Sequence, residues 1–221
     1  MNRVPTGVYR GVPADERRAE RRARLMAAAL DIMGTQGWSA TTVRGVCQRA
    51  KLTPRFFYES FPDLEALAVA VFDDIVTAAT ARVIEAMAQA PDDIEAKARA
   101  AIGTFVREVI DDPRRARVAF REALGSEPLM QRRLDTMRAM ANLIADQARV
   151  SYNLPPGADP FVDLTAALLA GGLAELLIVW LEGDLPLGRE QLVEDCVALS
   201  VAMGESAVEI ARTRARAARQ G

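Results

Sequence analysis

Apolar residues recur at helical spacing in segment after segment of this chain. Leu25, Ala28, Ala29, Ile32 and Met33 make one stripe. They predict a first helix that begins near Arg17 and is loosened and ended by Gly34 and Gly37. Val43, Val46, Cys47 and Ala50 fall at i, i+3, i+4 and i+7, which predicts a short second helix capped by Thr42. A turn, Lys51-Leu52-Thr53, follows. Thr53 as cap and Pro54 at the first helical position then open a third helix of two turns, with Leu52, Phe57 and Phe61 on its packed side. Pro62 and Asp63 stop it and cap the next helix.

From Asp63 to about Ala90 the residues Leu64, Leu67, Ala68, Val71, Ile75, Ala78, Ala79, Val83 and Met87 share one face of a long helix. Pro91-Asp92-Asp93 breaks the chain and opens a helix to about Asp111. Asp112-Pro113 starts another, from Arg114 to Leu124. Met130, Leu134, Met137, Met140, Ala141, Ile144 and Ala148 line a helix from about Pro128 to Tyr152, and Asn153 to Asp159 is a loop. Phe161 to Leu181 is apolar nearly all round, with Ala166, Ala167, Ala170, Gly171, Gly172 and Ala174 in its middle, so a neighbouring helix can approach closely. The last helix runs from Arg189 to about Arg212, its apolar face including Leu192, Val193, Cys196, Val197, Leu199, Ser200, Met203, Val208 and Ile210. The tail beyond it is read as fraying, and residues 1–14, with Pro and Gly and no helical period, as a mobile arm. Trp38 reads as a core plug.

The pattern is therefore all-α. Half of the 221 residues are hydrophobic, enough for a buried core. The net charge of −2 conceals a division: residues 1–62 hold 11 Arg and Lys against 5 Asp and Glu, the remainder 17 against 25. A basic end joined to an acidic body is expected where only the first segment meets phosphates. Arg3, Arg10 and the cluster Arg17, Arg18, Arg21, Arg22 and Arg24 are read either as a solvated helix start or as phosphate contacts beside a recognition helix. The absence of His removes Ser-His-Asp and Cys-His catalysis and most zinc sites. No metal, cofactor or enzymatic activity is expected. Cys47 and Cys196 read as small buried hydrophobes, and a reducing cytoplasm fits. No apolar signal core opens the chain, and Glu175 and Glu182 interrupt the later apolar runs, so neither export nor membrane spanning is expected.

On the third helix Arg55, Phe56, Tyr58, Glu59 and Ser60 sit at or near the exposed side, more rings than packing accounts for on so short an element. Two short helices joined by a tight turn, with a third following, have the build of a helix-turn-helix DNA reader. The run from about Arg17 to Leu67 resembles the DNA-binding domain of the TetR family of dimeric transcriptional repressors. The resemblance is carried by the first helix ending at Gly37-Trp38, by Thr41-Thr42-Val43-Arg44, by Tyr58 and Phe61 as Tyr-x-x-Phe, and by Glu65 and Leu67. Two positions depart. Lys51 stands where the family usually has Gly, and so has to accept an unusual backbone conformation. Leu64 stands where a phosphate-contacting Lys is common.

The resemblance implies three regions: a flexible arm over 1–14, a helix-turn-helix domain over 15–62, and a helical ligand-binding and dimerisation domain over 63–221. It implies a homodimer through the helices at about 160–182 and 189–212, a double-stranded and palindromic operator, and release from it by a small apolar or amphipathic effector. The long helix after Asp63 would carry the signal. Thr42, Arg44, Thr53, Pro54, Arg55, Phe56, Tyr58, Glu59 and Ser60 are the DNA-binding candidates. Arg55 is the first choice for a base edge, guanine, and Phe56 for a thymine methyl. Thr42 and Tyr58 match phosphate contacts, and Arg44 a position reaching phosphate or base. Phe105, Phe120, Met137, Met140, Leu173 and Trp180 are pocket candidates, each weighed against plain core packing. Arg115, Arg117, Arg121, Arg132 and Arg133 read as a solvated basic face. The alternative is a helical enzyme or small-molecule carrier without specific DNA binding. An activator or an architectural DNA-coating protein is a third reading.

Overall fold

A computed structural model describes residues 14–155 and 157–217, and the regular secondary structure over them is all helical. Nine α-helices follow one another: α1 Ala14–Gln36, α2 Val43–Ala50, α3 Pro54–Ser60, α4 Leu64–Gln89, α5 Ile94–Asp111, α6 Pro113–Phe120, α7 Glu127–Ser151, α8 Asp159–Glu182 and α9 Arg189–Ala217. Short 3-10 turns at Trp38–Ala40 and Glu122–Leu124 complete the order. The expected arm, with Arg3 and Arg10, lies outside the described residues.

Local chemistry sets most boundaries. The Thr42 hydroxyl accepts from the Gly45 N–H at 3.1 Å, Asp63 Oδ1 from Ala66 N–H at 2.7 Å, and Asp93 Oδ2 from Ala96 N–H at 2.8 Å, each satisfying an orphan donor at a helix start. Thr53 occupies the cap position of α3 in extended geometry, but its side chain makes no capping bond. Three expectations give way. Gly34 does not loosen α1, which continues to Gln36 and ends at Gly37, at φ 95°. Gly34 is instead a point of close approach, since a Cβ there would overlap Arg114 of α6. The helix expected over 114–124 is α6 followed by a separate 3-10 turn. The tail does not fray at Arg212: Ala and Arg are good helix formers, and α9 continues to Ala217, with Ala211 buried and the Arg214 guanidinium 4.7 Å from the centre of the Phe161 ring.

The chain divides into two compact units. The first, here called the head, runs to Ile75 and takes in Pro113–Met130; the second, the body, comprises Val76–Asp112 and the residues from Gln131 on. The division thus falls within α4 and within α7, and differs from a boundary after residue 62. Its physical reason is that α6 packs along α1, and that the first three turns of α4 bury Leu67, Ala68, Val71, Phe72 and Ile75.

In the head, Leu25, Ala28, Ala29, Ile32 and Met33 of α1 are buried, as are Val46, Cys47 and Ala50 of α2 and Phe57 and Phe61 at α3. In the body, one cluster joins Ala145 of α7, Val162 and Ala166 of α8 and Ala211 of α9, with Ile144, Ala148, Leu154 and Phe161 packed against it. The apolar face expected for α9 is split. Leu192, Cys196, Val197 and Val208 are buried, while Leu199, Met203 and Ile210 are exposed. Cys47 and Cys196 are free and buried, and burial pushes both thiols above their usual range.

Candidate nucleic-acid interface

The head presents one side of α3 and the start of α2 to solvent. Thr42, Arg44, Thr53, Pro54, Arg55, Tyr58 and Glu59 are exposed and Phe56 is half-buried. The Arg55 side chain is 85% exposed and Tyr58 60%. Behind them Phe57 is fully buried, meeting Tyr58 edge-on at 5.3 Å between ring centres and Phe61 at 6.1 Å. The buried rings seat a two-turn helix that has too few residues to hold itself together. Ser60 stands apart from the other candidates, because its hydroxyl is enclosed and has no hydrogen-bond partner.

The turn between α2 and α3 is held as its sequence requires. Lys51 adopts the left-handed conformation, φ 53° and ψ 45°, and its N–H closes the end of α2 on the Gln48 carbonyl at 3.2 Å. A lysine tolerates this at a cost of about 1–2 kcal/mol relative to glycine.

The arginine cluster of α1 does something that neither reading of it anticipated. Arg24 Nη2 donates to the carbonyl of Ala50 at 2.5 Å, at the C-terminus of α2. Arg18 Nη2 donates to the carbonyl of Glu59 at 3.0 Å and Arg22 Nη1 to that of Ser60 at 3.1 Å, at the C-terminus of α3. Arg22 also stacks on Phe61, 4.1 Å from the ring centre, and Arg21 on Phe56 at 4.7 Å. These guanidiniums satisfy last-turn carbonyls of α2 and α3 and oppose the negative ends of their dipoles. The signal was present in the sequence: cations spaced four apart at 18 and 22 on a helix that must pack against two short ones.

A second set of contacts fastens α6 to the base of α1. Arg114 Nη1 lies 3.0 Å from Asp31 Oδ1, and the same carboxylate pairs with Arg49 of α2. Arg117 donates to the Thr35 carbonyl at 3.0 Å and to Glu122 Oε1 at 2.7 Å, and Glu122 Oε2 accepts the Trp38 backbone N–H at 2.7 Å. Arg117 is therefore a partly buried fastener, which corrects its place in a solvated basic face. The Trp38 ring, half-buried, packs on Gly125.

Residues 25–71 match the family model described as bacterial regulatory proteins, tetR family. The match spans α2, α3 and the parts of α1 and α4 that pack with them. Solved structures share the fold over most of the chain's length. The fatty acid degradation regulator FadR from Bacillus halodurans is 17% identical, with a TM-score of 0.68 over 81% of this chain and 94% of that one. A TetR family transcription regulator from Marinobacter aquaeolei VT8 is 20% identical, with a TM-score of 0.55 over 88% and 98%. The regulator FadR from Bacillus subtilis, solved in complex with stearoyl-CoA, is 17% identical, with a TM-score of 0.62 over 84% and 97%. No curated protein matches the sequence.

The pocket candidates are divided between the two units. Phe120 belongs to the head and the other five to the body; all six are half-buried. Trp180 donates its indole N–H to the Leu187 carbonyl at 2.8 Å, closing the turn between α8 and α9. An open recess of about 610 Å³ lies elsewhere, lined by Pro160, Phe161, Leu164, Ala211 and Arg214 among others, and by none of the six.

Proposed function

We propose that this chain is a TetR-type transcriptional regulator, a homodimeric, cytoplasmic repressor whose α3 helices read a palindromic operator and whose body binds a small apolar or amphipathic effector. The observation that carries the reading is the outward face of α3: Arg55, Phe56 and Tyr58 stand on a helix anchored from behind by Phe57 and from its C-terminus by Arg18 and Arg22. Arg55 supplies the fork that pairs with guanine O6 and N7, and Phe56 an apolar contact for a thymine methyl. Thr42, Arg44, Thr53, Pro54 and Tyr58 track the phosphates around them. Ser60 is left out because its hydroxyl is turned away from solvent.

Pairing through α8 and α9 is supported by an apolar surface that a lone chain leaves wet. Leu164 and Leu168 are exposed on α8 beside Ala167, Gly171 and Gly172, and Leu199, Met203 and Ile210 on α9. α8 is long and apolar enough to cross a membrane. Its run of small residues, and the exposed apolar side chains of α9 in the same compact unit, favour a second copy of the chain as its cover. Two heads then read half-sites about one DNA turn apart.

The effector acts by favouring one head spacing over another, which requires differential affinity for two conformations. α5 leads through Asp112 directly into α6, and α6 is bound to the head by Arg114, Arg117 and Glu122. A shift of α5 on ligand binding is therefore passed to the base of α1. Phe105, Met137, Met140 and Leu173 are the proposed wall of the effector site, and long-chain acyl-CoA thioesters are the first compounds to try, because a structural neighbour carries one.

The test is selection of duplexes from a randomised pool by the full-length chain, followed by footprinting and by titration with acyl-CoA. A short two-fold protected site, lost on titration, is expected. Sequence-independent coating, or a particle that stays monomeric and selects no duplex, would overturn the proposal.

A further inference from the structure

Glu59 is an odd residue to find on a surface that meets phosphates. It lies one helical turn after Arg55, and Arg55 Nε donates to Glu59 Oε1 at 3.0 Å. A guanidinium offers five N–H donors in a planar fork. Committing Nε to the carboxylate leaves both Nη groups, the end-on edge, for another pair of acceptors. The Arg55 side chain is nonetheless largely exposed.

Glu59 is in turn held from the α1 side. Arg21 Nη2 is 4.0 Å from Glu59 Oε2, and Arg18 binds the Glu59 carbonyl. Arg21 is itself steadied against the Phe56 ring. A line of groups thus runs from α1 through Arg21 and Glu59 to Arg55 at the edge of α3. An exposed pair one turn apart adds little to folding stability. Its value lies in removing rotamer freedom from a long side chain before that side chain meets its target.

We propose that Glu59 is a positioning residue: it contacts neither base nor phosphate and sets the Arg55 guanidinium end-on for a guanine. The proposal rests on the reading of α3 as the recognition helix. It also predicts restraint. A carboxylate beside the phosphates penalises any register in which Arg55 finds no guanine and Glu59 stays near the backbone, so specificity gains more than affinity does.

The experiment uses the full chain and duplexes enriched from a randomised pool, with a scrambled duplex as reference. Arg55→Ala is expected to lose guanine preference at one position in each half-site by about tenfold or more. Glu59→Ala is expected to lose the same preference, at the same position, by about three- to tenfold, with binding to the scrambled duplex unchanged or tighter. Glu59→Gln keeps an acceptor oxygen for Nε and falls between the two. In an Arg55→Ala background, Glu59→Ala adds nothing at that position.

Should Arg55→Ala abolish the preference while Glu59→Ala leaves it whole, the role of Glu59 is refuted and the recognition helix stands. Equal weakening by Glu59→Ala on all duplexes, or a cytosine preference that disappears with Glu59 even when Arg55 is absent, also overturns it. If Arg55→Ala changes no preference at all, the assignment of Arg55 as base reader falls, and this proposal with it.

Discussion

In the head, Leu25, Met33, Phe57, Phe61, Leu67 and Phe72 are all buried, whereas the cluster that joins α7, α8 and α9 is built largely from Ala145, Ala158, Ala166 and Ala211. Exposure follows the opposite trend. Of the twelve exposed large hydrophobic side chains among the described residues, ten belong to the body, Leu168 at 61% and Leu199 at 67% among them. Fully burying a leucine is worth about 1.5–3 kcal/mol. The head has taken that gain within one chain. The body has left much of it to be taken by association or by a ligand, as the proposed binding and dimerisation unit would need. The proposed reading of DNA by the head requires the reverse, a rigid seat for α3.

The largest expected effect tests the self-sufficiency of the head. Phe57→Ala removes a fully buried ring and should cost about 3–5 kcal/mol in urea unfolding followed by the Trp38 signal, while sedimentation still shows a dimer. A loss of association along with stability would mean that the two units do not divide the work in this way. The complementary substitution, Leu168→Arg together with Leu199→Arg, places charges on the exposed face and should weaken self-association by about 2–4 kcal/mol in sedimentation equilibrium, with the head still folded.

Smaller changes sharpen the comparison. Glu122→Ala strands the Trp38 N–H and leaves Arg117 with the Thr35 carbonyl in place of its carboxylate partner, and should lower head stability by about 1–3 kcal/mol. The same variant should reduce the loss of DNA affinity on adding effector, since it loosens the link from α6 to α1; a full effector response with α6 loosened would place the coupling elsewhere. The smallest effect is a gain. Lys51→Gly relieves the left-handed backbone and should stabilise the head by about 1 kcal/mol in thermal unfolding.

Much of the head was legible without coordinates. The stripe of α1, the Thr42 cap, the Pro54 start of α3 and the strained Lys51 turn are local events, settled by side chains within four residues of the backbone they act on. The outward placement of Arg55 and Tyr58 followed from the same helical period that buried Phe57. Three features were not legible, because each depends on which helices meet. Gly34 reads as a breaker in isolation, and only the approach of Arg114 turns it into a packing site. Arg18, Arg22 and Arg24 read as a solvated or phosphate-binding cluster, and only the nearby ends of α2 and α3 make them caps. The apolar residues of α9 read as one face, whereas the packing of the body divides them into a buried row and an exposed one.

By itself, then, the sequence determined the helices, their caps and the candidate face of α3, since hydrogen bonding and periodicity act within a few residues along the chain. The tertiary structure decided that α6 belongs with the head, which arginines of α1 close the ends of α2 and α3, and which leucines a single chain leaves uncovered. Those outcomes depend on distances between segments far apart in sequence, Asp31 and Arg114 for example, which no local pattern encodes.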